Sequence, residues 1–222
     1  MHQQKNSLFH NSSDNTYSLR NLAFLNFCLE TGALFENIIK AISKNTKGGA
    51  IVKKILILNG SPRKQGKTTS LVNAFIQGAE SAGNEVRDRY LTGMDIHGCL
   101  ACEACSRNGG TCVQKDDMEQ IYEDYLWADV IVFASPMYWG YVSGQLKTAV
   151  DRLYAIQNRI GYSDMSKQFK ETVFIMTARG GYYKTALTFY SIFTDIMGWK
   201  SWGTILGAGK EEEAGRVGAS IH

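Results

Sequence analysis

A chain of 222 residues, 44% of them hydrophobic, can bury one substantial core, and two full domains would be cramped. Lys and Arg exceed Asp and Glu by 24 to 21, and residues 1–50 hold five of the basic and three of the acidic side chains, so the remainder is nearly neutral. That balance argues against a nucleic-acid partner, which needs a basic face or stripe.

The first 18 residues are polar, rich in Asn and Ser and without a period, as expected of a disordered lead. Residues 19–43 fit one amphipathic helix. Within it the apolar run Leu22–Leu29 meets Glu30, Glu36 and Lys40 too soon for a membrane span, so no membrane partner is expected. Lys47-Gly48-Gly49 separates this appendage, residues 1–50, from a domain expected over 51–222. The appendage fits a docking arm, an oligomer contact or an extension of little role, and the last is the default. Five cysteines without a secretory signal point to a reducing cytoplasm.

From Ile51 the chain alternates strand and helix patterns, the mark of a parallel sheet covered on both faces. Strands fit at 52–58, 85–91, 129–134, 171–177 and 201–206. Helix faces recur at Leu71, Ala74, Phe75, Gly78 and Ala79, at Met118, Ile121, Tyr122, Tyr125 and Leu126, and at Leu146, Ala149, Val150, Leu153 and Tyr154. Asp116 with Glu119 suits a capping box for the second of these. The expected fold is α/β: a doubly wound, five-stranded sheet of order 2-1-3-4-5, which binds ligands at the carboxyl ends of its strands. His222 follows soon after the fifth strand and the polar run Lys210–Arg216, so the terminal helix is expected to be missing or reduced.

The first strand runs into Gly60-Ser61-Pro62-Arg63-Lys64-Gln65-Gly66-Lys67-Thr68-Thr69, a loop of small, hydroxyl and cationic residues suited to a phosphate. Two chemistries compete for it. A P-loop nucleotidase needs G-x-x-x-x-G-K-[ST], and Gly66-Lys67-Thr68 supplies the second half, but the position five before Gly66 is Ser61. The third strand also ends in Ala134-Ser135 without an acid to organise magnesium. The alternative is flavin mononucleotide, whose dianionic phosphate needs no metal and suits Ser61, Arg63, Lys67, Thr68 and Thr69. After the third strand, Ser135-Pro136-Met137-Tyr138-Trp139-Gly140 offers aromatic and soft apolar walls for a flat ring, or else a subunit contact. After the fourth, Thr177-Ala178-Arg179-Gly180-Gly181 permits close backbone approach. Three loops at the carboxyl ends of strands one, three and four converge where such a fold places a cofactor.

Between the second strand and second helix lie Cys99-x2-Cys102-x2-Cys105-x6-Cys112. Four thiolates so close can wrap one metal centre, and the first three match the C-x2-C-x2-C run that holds iron–sulfur clusters. Zinc ranks second, disulfides third, and redox-active or free thiols remain open. Cys28 reads as a spectator and His97 as an ordinary polar loop residue.

The segments Gly60–Lys64 with Gly66-Lys67-Thr68, Ala134–Trp139 and Lys147–Arg152 resemble the flavodoxin-like NAD(P)H-dependent FMN reductases from about residue 52 to 210. The cysteine spacing resembles that of the iron–sulfur flavoproteins, a branch of that family. The resemblance implies noncovalent FMN, with phosphate contacts from Ser61, Arg63, Lys67, Thr68 and Thr69 and ring contacts from Pro136, Met137, Tyr138, Trp139, Ala178, Arg179, Gly180 and Gly181. Position 67 is often Asn in the family and is Lys here. It implies, too, a [4Fe–4S] cluster on Cys99, Cys102, Cys105 and Cys112, although relatives with a similar loop and a following Asp-Asp-Met, like Asp116-Asp117-Met118, lack a demonstrated one. NADH or NADPH is the implied hydride donor and a quinone, flavin or similar small molecule the acceptor, with flavin-borne chemistry and no catalytic acid or base. The alternatives are an electron-transfer module without nicotinamide turnover, meeting a ferredoxin-like protein, and more distantly a P-loop-like nucleotide-binding protein. Relatives are commonly homodimers or homotetramers.

Overall fold

Apolar runs without alternation make strands that are buried on both faces, and three such runs, within residues 54–59, 130–136 and 171–177, form the centre of a sheet whose two edge strands are more exposed. The computed structural model describes residues 51–160 and 170–222. The chain divides between Gly49 and Ala50, and the lead and helix expected within residues 1–50 lie outside the described residues. Strands β1 (Lys54–Asn59), β2 (Glu85–Tyr90), β3 (Val130–Pro136), β4 (Glu171–Thr177) and β5 (Lys200–Leu206) form one sheet in the order β2-β1-β3-β4-β5. All neighbours are parallel, with Ile55 opposite Val86 and Val130, and with an irregularity between Thr172 and Val173 where β4 meets β5. The helices are α1 (Lys67–Ser81), α2 (Ala104–Arg107), α3 (Met118–Trp127), α4 (Gly144–Arg152), α5 (Tyr154–Ile160), α6 (Lys184–Met197) and α7 (Glu211–Ala219).

Successive strand side chains point to opposite faces, and each face has its own core. Ile55, Ile57, Val130, Val132, Val173 and Ile175 pack with Leu71, Val72 and Phe75 of α1 and Ala214 of α7. Leu56, Leu58, Ile131, Phe133, Phe174 and Met176 pack with Ile121 and Tyr125 of α3, Leu146 and Ala149 of α4 and Tyr190 of α6. Each such buried aliphatic or aromatic side chain contributes about 1.5–3 kcal/mol. The sheet is thereby pinned from both sides, and the loops at its carboxyl edge are held on a rigid base. Of the expected helix faces, Leu126 and Tyr154 are exposed.

The structure corrects two local expectations. The terminal helix is present as α7. Its first turn carries Glu211, Glu212 and Glu213, which complement the helix dipole. Its buried face is small because it lies almost on the backbone of α1: a Cβ on Gly218 would come within 2.2 Å of the Phe75 carbonyl oxygen. A glycine face carries no apolar period, so the pattern hid it. The capping box does not form: Asp117 caps α3 without a side-chain bond, the Asp116 carboxylate accepts from Met118 N at 3.2 Å and from Arg152, and Glu119 pairs with Lys115.

Candidate functional site

Asn59 ends β1 buried, and its side-chain oxygen accepts from Ser61 N at 3.2 Å, which turns the chain out of the sheet. Gly60 follows, donating its N–H to Ala134 O of β3 at 2.8 Å. A Cβ here would lie 2.6 Å from Ser143 Oγ and 2.7 Å from Leu146 Cβ, so only glycine fits. The loop then closes on the Arg63 carbonyl, which accepts from Ser61 Oγ at 3.0 Å, Thr69 Oγ1 at 3.0 Å and Gly66 N at 3.0 Å. Helix α1 starts behind Gly66, a cap residue without a side chain, and has no acid in its first turn. Its leading N–H groups and the positive end of its dipole therefore face the loop without a neutralising partner from their own helix.

The other two loops are tied to this one. Thr68 Oγ1 lies 2.7 Å from Thr177 Oγ1 at the end of β4, and Met137 N donates to Thr177 O at 2.7 Å. Ser143 caps α4 and donates to Gly60 O at 2.7 Å, while its own N–H donates to Ser135 Oγ at 2.7 Å. The result is one pocket of about 700 Å³ lined by Ser61, Pro62, Arg63, Gln65, Gly66, Lys67, Thr68, Pro136, Met137, Tyr138, Thr177, Ala178 and Arg179. Three cations surround it, no acid lines it, and among the described residues neither Arg63 nor Lys67 enters an ion pair. A dianion is the ligand such a rim selects.

Of the expected residues, Ser61, Arg63, Lys67, Thr68, Pro136, Met137, Tyr138, Ala178 and Arg179 line this pocket. Thr69 does not, because its hydroxyl holds the Arg63 carbonyl and so the shape of the loop. Trp139 does not either. Tyr138 and Tyr141 exchange backbone hydrogen bonds across a two-residue turn whose centre, Trp139 and Gly140, has φ of +51° and +78°. That turn swings the indole fully into solvent. Gly180 lies outside the pocket, and Gly181 lines a neighbouring apolar hollow with Tyr182, Leu187 and Ile192. Thr177 was missed although it stands beside Ala178 in sequence, since a strand-terminal Thr gives no signal of its own.

The four cysteines line a second pocket of about 630 Å³ with Asp151 and Tyr154. Ala101 and Glu103 adopt φ of +50° and +54° between the first cysteines, coiling the loop tightly. Three of the sulfurs accept N–H donors: Cys99 from Ala101 N at 3.4 Å, Cys105 from Asn158 Nδ2 at 3.8 Å and Cys112 from Arg152 Nη2 at 3.3 Å. All four are free thiols. Among the described residues no three His, Cys, Asp or Glu side chains converge as ligands on one point. The donor set nonetheless has the chemistry of a thiolate-ligated centre, soft sulfurs around one pocket with N–H groups already aimed at them.

Sequence reasoning missed the group that organises this loop. The Arg152 guanidinium, side chain 1% exposed, donates to Asp116 Oδ2 at 2.6 Å, Asp116 Oδ1 at 3.0 Å and His97 O at 2.7 Å. Burial alone would raise the Asp116 pKa, but hydrogen bonds from Arg152 and from the His97 and Met118 amides hold it below the usual carboxylate range. Burial pushes the neighbouring Tyr122 phenol up to about 12. The available signal was a charge three residues after Ala149, on the buried stripe of a helix.

A parallel doubly wound sheet whose β1, β3 and β4 loops share one cation-rimmed pocket defines a flavodoxin-like domain. Two solved structures share the fold. A NAD(P)H:quinone oxidoreductase from Methanothermobacter marburgensis superposes with a TM-score of 0.58 at 19% identity, covering 77% of this chain and 98% of that one. An azoreductase from Bacillus anthracis gives 0.57 at 16% identity, covering 77% and 100%. The chain belongs to the NADPH-dependent FMN reductase family, which matches residues 53–208. Its curated relatives include iron–sulfur flavoproteins. One from Methanocaldococcus jannaschii is 42% identical over 103 residues, 46% of this chain and 52% of that protein. Another from the same organism is 31% identical over 140 residues, 63% and 71% respectively. One from Methanosarcina thermophila is 35% identical over 115 residues, 49% and 60%. The chain spans about half the length of the first curated relatives it matches.

Proposed function

We propose that the pocket at the carboxyl edge of the sheet binds FMN, and that the protein passes electrons from NADH or NADPH to an acceptor. The observation that carries this reading is the meeting of three loops, one cationic, one apolar and one backbone-rich, in a single pocket without an acid. Lys67, Arg63, the Thr68 hydroxyl and the leading amides of α1 would hold the phosphate. Pro136, Met137 and Tyr138 would wall the ring and exclude water from one side, and the Ala178 and Arg179 backbone would meet its polar edge. FMN, when bound, accepts a hydride and releases electrons in pairs or singly, so the chain needs no acid–base pair of its own. A magnesium-dependent nucleotidase is disfavoured by the same lack of a lining acid.

The test is an absorption spectrum and flavin extraction on the purified protein, followed by anaerobic addition of NADH or NADPH. Bleaching of bound FMN by either nucleotide supports the proposal. FMN that neither nucleotide reduces would sink the nicotinamide half and leave an electron-transfer module. Mg-ATP binding without a yellow chromophore would sink both.

The cysteine pocket favours a second element in the same reading. Four sulfurs lining one pocket, three of them with N–H donors, suit an iron–sulfur cluster held by Cys99, Cys102, Cys105 and Cys112, and the curated relatives carry that cofactor in their names. Such a centre would take electrons singly, which fits a ferredoxin-like partner as well as a quinone or flavin acceptor. Iron and sulfide assays on anaerobically purified protein decide it.

A further inference from the structure

Arg152 carries a full charge in a place where charge is costly. Its side chain is 1% exposed, and a buried ion left without a partner is strongly destabilising. Asp116 answers one edge of the guanidinium with both carboxylate oxygens. A guanidinium stays protonated in proteins, so the cation is permanent. What remains is directed. Nη1 also donates to His97 O at 2.7 Å, just before the cysteine quartet, and Nη2 also donates to Cys112 Sγ at 3.3 Å, at its end. The guanidinium thus spans both ends of the cysteine loop. Nε, buried as well, has no partner among the described residues.

The three sulfur contacts are unequal. Cys99 and Cys105 receive neutral amide N–H groups at 3.4 and 3.8 Å, whereas Cys112 receives a cationic donor at 3.3 Å. A charge-assisted bond to sulfur favours the more negative state of whatever the sulfur ligates. A planar fork can grip a carboxylate and a sulfur together, which an ammonium cannot. The cation is also fixed in position, because α4 is held at its other end by Ser143, bonded to Gly60 O and Ser135 Oγ. One nine-residue helix, about 13 Å long, therefore joins the flavin pocket to the cysteine pocket.

We propose that Arg152 is a positioning residue of the cysteine site, clamping both ends of the loop and raising the reduction potential of the centre through its bond to the Cys112 sulfur. This rests on the reading of the quartet as iron–sulfur ligands. An electron added to a thiolate-bound centre increases its negative charge, and the nearby cation stabilises that state. Asp116 holds the guanidinium in place and tempers its charge without touching the sulfur itself.

Two variants test it. Arg152→Lys keeps the charge and loses the fork, while Arg152→Gln with Asp116→Asn removes both charges together and avoids a lone buried ion. Each is reconstituted anaerobically with ferrous iron and sulfide, assayed for both and for FMN, and titrated potentiometrically. The expected result is a midpoint potential that falls from wild type to Arg152→Lys to the double variant, at unchanged iron and FMN content. Loss of iron with FMN retained also supports the clamp. An unchanged potential in fully loaded variants overturns the electronic role while the cluster stands. A wild-type chain that takes up no iron or sulfide overturns the cluster reading and the electronic role with it. The clamp is then judged separately by amide hydrogen exchange in the metal-free chain. Faster exchange across residues 97–117 in the double variant supports it, and unaltered exchange overturns it.

Discussion

Gly60 is the residue on which the geometry of the proposed flavin pocket turns. Its backbone bonds to β3, its carbonyl is held by Ser143, and any Cβ would stand 2.6 Å from that same hydroxyl. Gly60→Ala is therefore expected to push the loop off α4 and weaken FMN binding by about tenfold or more, as a strain of 1–3 kcal/mol implies. Flavin fluorescence titration measures it. A different residue governs pH dependence. Lys170 is buried, bonded to Ala128 O and set over the Tyr125 ring at 4.9 Å. Burial pushes its pKa down to about 8, the Asp129 charge only partly opposing. As pH falls from about 10.5 to 8, the unfolded chain takes up a proton that the folded chain refuses, so this lysine's contribution to stability is full above that window and declines through it. At ~1.4 kcal/mol per unit the whole effect is about 3 kcal/mol. Denaturant unfolding of wild type and Lys170→Met should show their difference shifting toward the wild type as pH rises from 8 to 10; a constant difference refutes it. Single residues were also where the sequence was least legible. Aromatic composition drew attention to Pro136–Trp139, of which the first three line the pocket, but the direction of Trp139 depends on a backbone φ that composition does not encode. Arg152 and Asp116 lie 36 residues apart and share no period, so only the fold brings them together.

Elements were legible where burial imposes a period. The runs of β1, β3 and β4 were visible because both faces are buried, and Met118–Trp127 and Gly144–Arg152 because one helix face is. Helix α7 lacked that signal, since its contact with α1 is made through glycine and backbone. A Cβ on Gly78 would come within 2.0 Å of Gly215 O, closer than any real contact. Gly78→Ala is accordingly expected to separate α1 from α7 rather than to gain the ~1 kcal/mol that alanine normally adds in a helix. Overpacking of this kind costs about 1–3 kcal/mol, which should lower the melting temperature by several degrees. A melt of Gly78→Ala at or above the wild-type temperature would show that the helices can yield. Helix α1 also carries the proposed phosphate loop at its start, so the same variant should loosen FMN binding, with the larger effect on stability.

At the scale of the whole molecule, the two candidate sites are separate in their residues and joined by one helix. The proposed flavin pocket is lined by loops after β1, β3 and β4, the cysteine pocket by the segment between β2 and α3 with Asp151 and Tyr154, and they share no lining residue. The ends of α4 take part in both, through Ser143 and Arg152, whereas Cys99 and Cys102 are exposed on the far side of that connection. Their removal leaves the Arg152 clamp on Cys112 and Asp116 untouched, and no core contact depends on them. Cys99→Ser with Cys102→Ser is thus expected to abolish iron and sulfide binding while FMN stoichiometry and thermal stability stay at wild-type values, since exposed substitutions usually change stability by about 0.5 kcal/mol or less. Turnover with NAD(P)H and a two-electron acceptor such as a quinone should persist, and transfer to a one-electron protein acceptor should fall. Paired metal, flavin and activity assays on one preparation decide the matter. Retention of iron would mean that the quartet is not the ligand set, and loss of FMN alongside iron would mean that the two pockets fold as one.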